Sequence, residues 1–241
     1  MAAEYIRDDR ATSFFQIGDL TRMIAEKHCQ VPIDELTVQR WRELLGLLRE
    51  FDTLVDDTHI GTKEALAQLE DFDFFRHTYP HLSPEQLPKA DRSRMLGRTA
   101  LVLGIGEQLT AERNLDNFIA IRIREGVVTA DMLGDSATPE TRVDPRFYTS
   151  FLPIMRSLSV TACLLDSLTD GKQDYREGKI SIKPDRAFYS GVARAAFAHS
   201  KRSIPALMHL PILHQFGVMS ATRLRNRLKY GVTPYSSIKN I

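Results

Sequence analysis

The sequence predicts an all-α protein, and three observations carry that prediction. Apolar residues recur at helical spacing through six stretches of the chain. Prolines and small polar residues gather between those stretches, where helices end. Strand-like alternation is confined to Ile180, Ile182 and Val102, too little to build a sheet. The chain is 241 residues long and 43% hydrophobic, enough for one sizeable core, so a single domain over 1–241 is expected.

The first helix is expected from Leu36 to Leu54, where Leu36, Trp41, Leu44, Leu45, Leu47, Leu48, Phe51 and Leu54 recur with charges between them. A second apolar run spans Ser93 to Gln108. A third, Ala111 to Leu133, interleaves Leu115, Phe118, Ile119, Ile121, Ile123, Val127 and Met132 with Arg122, Arg124 and Glu125. The longest candidate is Phe147 to Tyr175, with Pro153 near its start, where proline is tolerated or bends the helix. Arg186 to Ser200 and Ser220 to Tyr230 complete the set. Loops are expected at His77 to Lys89, which holds three prolines, at Asp135 to Pro145, and at Gly178 to Asp185. No internal repeat or low-complexity tract is present.

Composition narrows the function. With 32 Lys and Arg against 31 Asp and Glu, the formal charge is +1, which argues against a strongly basic nucleic-acid binder and an acidic disordered tail. Cys29 and Cys163 show no CxxC spacing and fit a reducing, cytoplasmic setting. The charged N-terminus argues against a signal peptide. Ser203 to Thr222 has no Lys, Arg, Asp or Glu, but two prolines, two histidines, a glutamine and a glycine interrupt it. It reads better as a buried helix or pocket wall than as a stable span, and a peripheral membrane contact is compatible with it. There is no HExxH, HD, GxSxG, Walker A or ExxH pattern.

Two acidic clusters interrupt otherwise apolar helices. Asp52 and Asp56 stand at i and i+4, with Asp57 following. Asp166, Asp170 and Asp174 stand at i, i+4 and i+8, a stripe about 12 Å long at 1.5 Å per residue. Like charges so placed repel, and solvated helix ends are the plain explanation. However, neither stripe has a Lys or Arg at i+4 on its own face, and each abuts apolar sequence. Carboxylates facing one another across a bundle suit Mg²⁺, which takes one or two of them together with water and phosphate oxygens.

The segment Phe51-Asp-Thr-Leu-Val-Asp-Asp57 resembles the first aspartate-rich motif of squalene and phytoene synthases. The segment from Asp166 to Pro184, DSLTDGKQDYREGKISIKP, resembles their second, with Thr169 where those proteins usually carry Arg. The triad spacing is also that of the second metal motif of class I terpene cyclases. The resemblance implies the class I isoprenoid synthase fold, a helical bundle around a central apolar cavity. It also implies three Mg²⁺ ions holding a substrate diphosphate. Asp52, Asp56, Asp57, Asp166, Asp170 and Asp174 would be the metal ligands, with Asp52, Asp56 and Asp170 counted as catalytic.

A diphosphate also calls for cations, and arginine binds its oxygens in a bidentate fork. Arg122 and Arg124 precede the second motif much as the diphosphate-sensing arginine of terpene cyclases does, with Glu125-Gly126 as a candidate helix break. Lys172, Arg176, Arg227 and Tyr230 are further diphosphate candidates, and Phe147, Phe151 and Phe216 are candidates to line the hydrocarbon cavity. The expectation is an Mg²⁺-dependent terpene synthase, a lyase that ionises a small-molecule prenyl diphosphate. A transferase coupling two prenyl diphosphates and a non-catalytic helical interaction module, either compatible with a homodimer, remain as alternatives.

Overall fold

A computed structural model describes residues 17–58, 67 and 72–208. Helices dominate, and no strand occurs among the described residues. The chain enters as a helix over 17–23 that widens into a π turn at Ile24–His28. Among the described residues six longer helices follow: α1 (Glu35–Thr58), α2 (Phe72–Thr78), α3 (Lys89–Ala111), α4 (Leu115–Ser136), α5 (Leu152–Arg176) and α6 (Arg186–Ser200). Single turns at Pro80–Leu82, Pro139–Arg142 and Ile204–Leu207 punctuate the connections. The helix expected at Ser220 to Tyr230 lies outside the described residues.

The spine is α4, which packs on α1, α3, α5 and α6. Asn114 starts it by accepting hydrogen bonds from the amides of Asp116 and Asn117, which otherwise lack helical partners. The helix runs unbroken through Glu125 and Gly126, the candidate break, as the expected span Ala111 to Leu133 requires. Gly126 has a different role: a Cβ there would lie 2.4 Å from the Val160 backbone of α5. A hydrogen at that position lets the two backbones touch. Contacts on either side define an antiparallel register. Arg156 of α5 pairs with Asp131 at 2.6 Å, and Ser167 receives the Arg122 guanidinium at 2.8 Å.

Two apolar clusters flank this crossing. One joins Trp41, Leu44, Leu47 and Phe51 of α1 to Met95, Met132, Leu133, Phe147 and Phe151. Trp41 stacks on Phe151 with ring centroids 5.4 Å apart, and its indole N–H donates to the Leu133 carbonyl at 2.8 Å. The other joins Phe118, Val160, Leu164, Ile180, Phe188 and Val192, with the Phe118 and Phe188 rings 5.4 Å apart. The π turn at Phe147–Phe151 leads directly into α5. By widening the backbone there it accommodates Pro153, which has no N–H to give and whose ring crowds the preceding turn. The stretch Phe147–Arg176 is long and apolar enough to cross a membrane by length and composition, but here it packs on α4 and α6 as a core helix.

The loop expected at Asp135 to Pro145 is more ordered than its composition implies. Asp34 accepts hydrogen bonds from the hydroxyls of Thr37, Thr138 and Thr141, which tie the start of α1 to the end of α4. Burial alone would raise the Asp34 carboxyl, but those bonds outweigh it and hold it down at about 2. Nearby, Arg142, Asp91, Arg94, Asp135, Arg98, Asp131 and Arg156 form a chain of alternating charge across α3, α4 and α5.

Replacing Gly126 with Ala should destabilise the protein by at least ~2 kcal/mol, because the added methyl meets backbone rather than a movable side chain. A denaturant melt would show it, and an unchanged midpoint would contradict the close crossing. The Asp34 carboxyl is depressed in the folded state, so its contribution is present above pH ~4 and lost as pH falls through about 2. Asp34→Asn should therefore destabilise at pH 7 and flatten the acid limb of the stability–pH curve.

Candidate functional site

The second acidic motif occupies the last three turns of α5, at the end of the molecule where Phe118 and Phe188 pack. Its neighbour is Arg122 on α4. That side chain is 11% exposed, and each of its three nitrogens has a partner. Nε donates to Ser167 Oγ at 2.8 Å, Nη1 to Glu125 at 2.7 Å, and Nη2 reaches Asp166 at 3.4 Å. Burial disfavours the charged guanidinium, but the Glu125 and Asp166 carboxylates more than offset it, and the group is held above its ordinary range. Arg122 is thus a fixed positive charge beside the carboxylates.

Along the stripe, Asp166 is exposed, while Asp170 and Asp174 are half-buried. Burial pushes the Asp174 carboxyl up to about 6, and the charges of Asp166 and Asp170 push the same way. Arg122 and Lys179 pull against them. Lys179 stands there because α5 ends in a left-handed residue, Gly178 with φ +74°, and the Lys179 amide then bonds the Asp174 carbonyl at 2.8 Å. The Thr169 hydroxyl donates to the Asp166 carbonyl at 2.9 Å. Burial also pushes the neighbouring Cys163 thiol up, so it stays protonated.

The remaining candidates fall in several places. Arg124 is exposed and lies about 200° around α4 from Arg122, at ~100° per residue, so it points away from α5. Lys172 and Arg176 are exposed, and each is likewise two residues from an aspartate of the stripe. Phe147 and Phe151 are fully buried against each other and Trp41, where they fill the core. Asp52, Asp56 and Asp57 sit in the last turns of α1, and their side chains lie outside what the structure describes. Arg227, Tyr230 and Phe216 lie outside the described residues. The helices α1 and α5 each pack on α4 and form no principal interface with each other among the described residues.

Sequence reasoning missed Ser167, Glu125 and Lys179. The i, i+3 spacing of Arg122 and Glu125 was a readable signal, as were the i, i+4 pairs Arg94/Arg98 and Asp131/Asp135 that build the charge chain. Ser167 carried no such signal, because only the helix register places it under Arg122.

Among the described residues, no group of three or more His, Cys, Asp and Glu side chains converges as a metal cage. The hard carboxylate oxygens of α5 still match what Mg²⁺ requires of a protein, since one or two suffice when substrate phosphates supply the rest.

The raised Asp174 carboxyl makes a signed prediction. Stability from its neutral form is full below pH ~4 and lost as pH rises through about 6. Without divalent cations, Asp174→Asn should raise Tm at pH 8, an effect of about 1 kcal/mol or less once solvent screening of this half-exposed group is allowed for, and lose that advantage near pH 4. A variant no more stable than wild type at pH 8 would contradict the crowded-carboxylate picture.

Compared with protein-family models, curated proteins and solved structures, the chain matches none.

Proposed function

We propose that the chain is an Mg²⁺-dependent isoprenoid synthase, specifically a terpene synthase acting on an allylic prenyl diphosphate. One observation carries the reading: a buried arginine on α4 is bonded to Ser167 and reaches Asp166, inside a motif whose three aspartates share one face of α5. Bound Mg²⁺ would screen the diphosphate charge and stabilise it as a leaving group. Asp170 and Asp174, with Asp166, are the α5 residues to hold it, and Asp52, Asp56 and Asp57 are the α1 candidates.

The protein's own part is positional. Arg122 holds Asp166 at one end of the stripe and supplies a guanidinium that no pH change in the working range removes. Ser167 and Glu125 keep that guanidinium from swinging into solvent. Such preorganised charge, aimed at a departing anion, is the usual source of the largest catalytic contribution. Resting on the resemblance, the reading takes an apolar pocket to shield the carbocation from water.

A non-catalytic helical module is favoured by one fact: every donor group of Arg122 already has a partner within the protein. Incubation with prenyl diphosphates of ten to twenty carbons and Mg²⁺, read by gas chromatography and diphosphate release, separates the readings. A terpene synthase gives a hydrocarbon or alcohol of unchanged carbon number, and a coupling transferase gives a product of doubled length. Asp170→Asn and Asp56→Asn should each lower turnover by at least about 100-fold. No turnover of any substrate would leave the interaction module as the better account.

A further inference from the structure

At the pole opposite the aspartate stripe along α5, an open cleft of about 340 Å³ lies between α4, α5 and α6. Its floor is apolar, with Val127, Pro153 and Val160, and its rim is basic, with Arg156, His199, Lys201 and Arg202. Arg156 is neutralised by Asp131 at 2.6 Å. Lys201 and Arg202 are exposed and have no carboxylate partner among the described residues. The Ser157 hydroxyl in the cleft wall is turned inward, donating to the His199 carbonyl and lying 3.2 Å from Ser203 Oγ.

Near this basic rim in the sequence, three large apolar side chains are exposed. Phe197 is 65% exposed and Met208 64%, with Ile204 also open to solvent. Arg194, Phe197 and Lys201 follow one another at i, i+3 and i+7, so cation and aromatic ring share one outward face of the chain. The Lys201 ammonium lies 5.5 Å from the centre of the Phe197 ring. From Arg186 to Ile241 the sequence carries nine Lys and Arg and no Asp or Glu. The near-zero overall charge thus conceals a segregation of sign along the chain.

We propose that this pole docks on an anionic lipid bilayer, with a headgroup phosphate entering the cleft. Lys201 and Arg202 would meet the negative surface, while Phe197, Ile204 and Met208 enter the boundary between headgroups and acyl chains. The combination selects the partner. A free anion would use the cations and leave the apolar side chains unexplained. A nucleic acid would call for a longer row of phosphate contacts and no exposed Met and Phe. Interfacial binding needs apolar area and cations together, because either contribution alone gives marginal, reversible attachment. The inference does not depend on the isoprenoid reading, since none of these residues belongs to the aspartate site.

Vesicle co-sedimentation of the full chain tests it. Wild type should bind vesicles of phosphatidylcholine mixed with phosphatidylglycerol and not vesicles of phosphatidylcholine alone. The double variant Lys201→Glu/Arg202→Glu should weaken that binding at least about tenfold, and Phe197→Ser should weaken it with the charge left intact. All three side chains are exposed, so the variants should keep the wild-type melting temperature. Equal binding to neutral vesicles, no binding to anionic ones, or unaltered binding by the charge-reversed variant would overturn the proposal. So would complete release by inorganic phosphate at an ionic strength where chloride has no effect, which would mark the cleft as a soluble-anion site.

Discussion

The architecture depends on the contact between α4 and α5 at Gly126. Two helices bearing ordinary side chains pack 8–10 Å apart, and a backbone that meets another with only a hydrogen between them sits closer. That closeness fixes the register of the pair. From it follow the Asp131–Arg156 ion pair on one side and the Arg122–Ser167 hydrogen bond on the other. A larger residue at position 126 would push α5 away from α4 and loosen both. The candidate site therefore rests on an absence of side-chain atoms one turn from its arginine.

The same crossing divides the apolar interior in two. On one side α1 brings Trp41 onto Phe151, and on the other α6 brings Phe188 onto Phe118. Phe51, just before the first acidic motif, belongs to one cluster, and the second motif lies among Leu164 and Phe188 of the other. Polar networks stitch the ends together. Asp34 gathers three threonine hydroxyls from two segments, and the seven-member charge chain spans three helices. Its inner carboxylates are shielded, which makes each pair worth more than an exposed one.

Much of this was legible from residue spacing. The periodicity of Leu36 to Leu54, Ala111 to Leu133 and Arg186 to Ser200 places three helices within a few residues of their observed bounds, and the aspartate triad falls on one face of α5 as its spacing requires. Arg122 and Arg124 could not be separated by sequence, since both alternate with isoleucines; only the helix register turns one inward and the other out. Gly126 misled for a related reason. In a sequence glycine signals a helix end, and only the approach of a second backbone reveals its packing role. Phe147 and Phe151 were open to two readings, cavity wall or core; both are fully buried, Phe151 stacked on Trp41 and Phe147 packed on Phe151. The absence of Asp and Glu beyond Asp185 is readable from the sequence, whereas the exposure of Phe197 is not.

The central claim is that the Arg122 and aspartate face of α5 binds a diphosphate through Mg²⁺. Titration calorimetry of inorganic pyrophosphate into the protein, with and without Mg²⁺, tests it directly. The account predicts binding only when Mg²⁺ is present, and its loss in Asp170→Asn at an unchanged melting temperature. Absence of binding with Mg²⁺, or equal binding by wild type and Asp170→Asn, would contradict it.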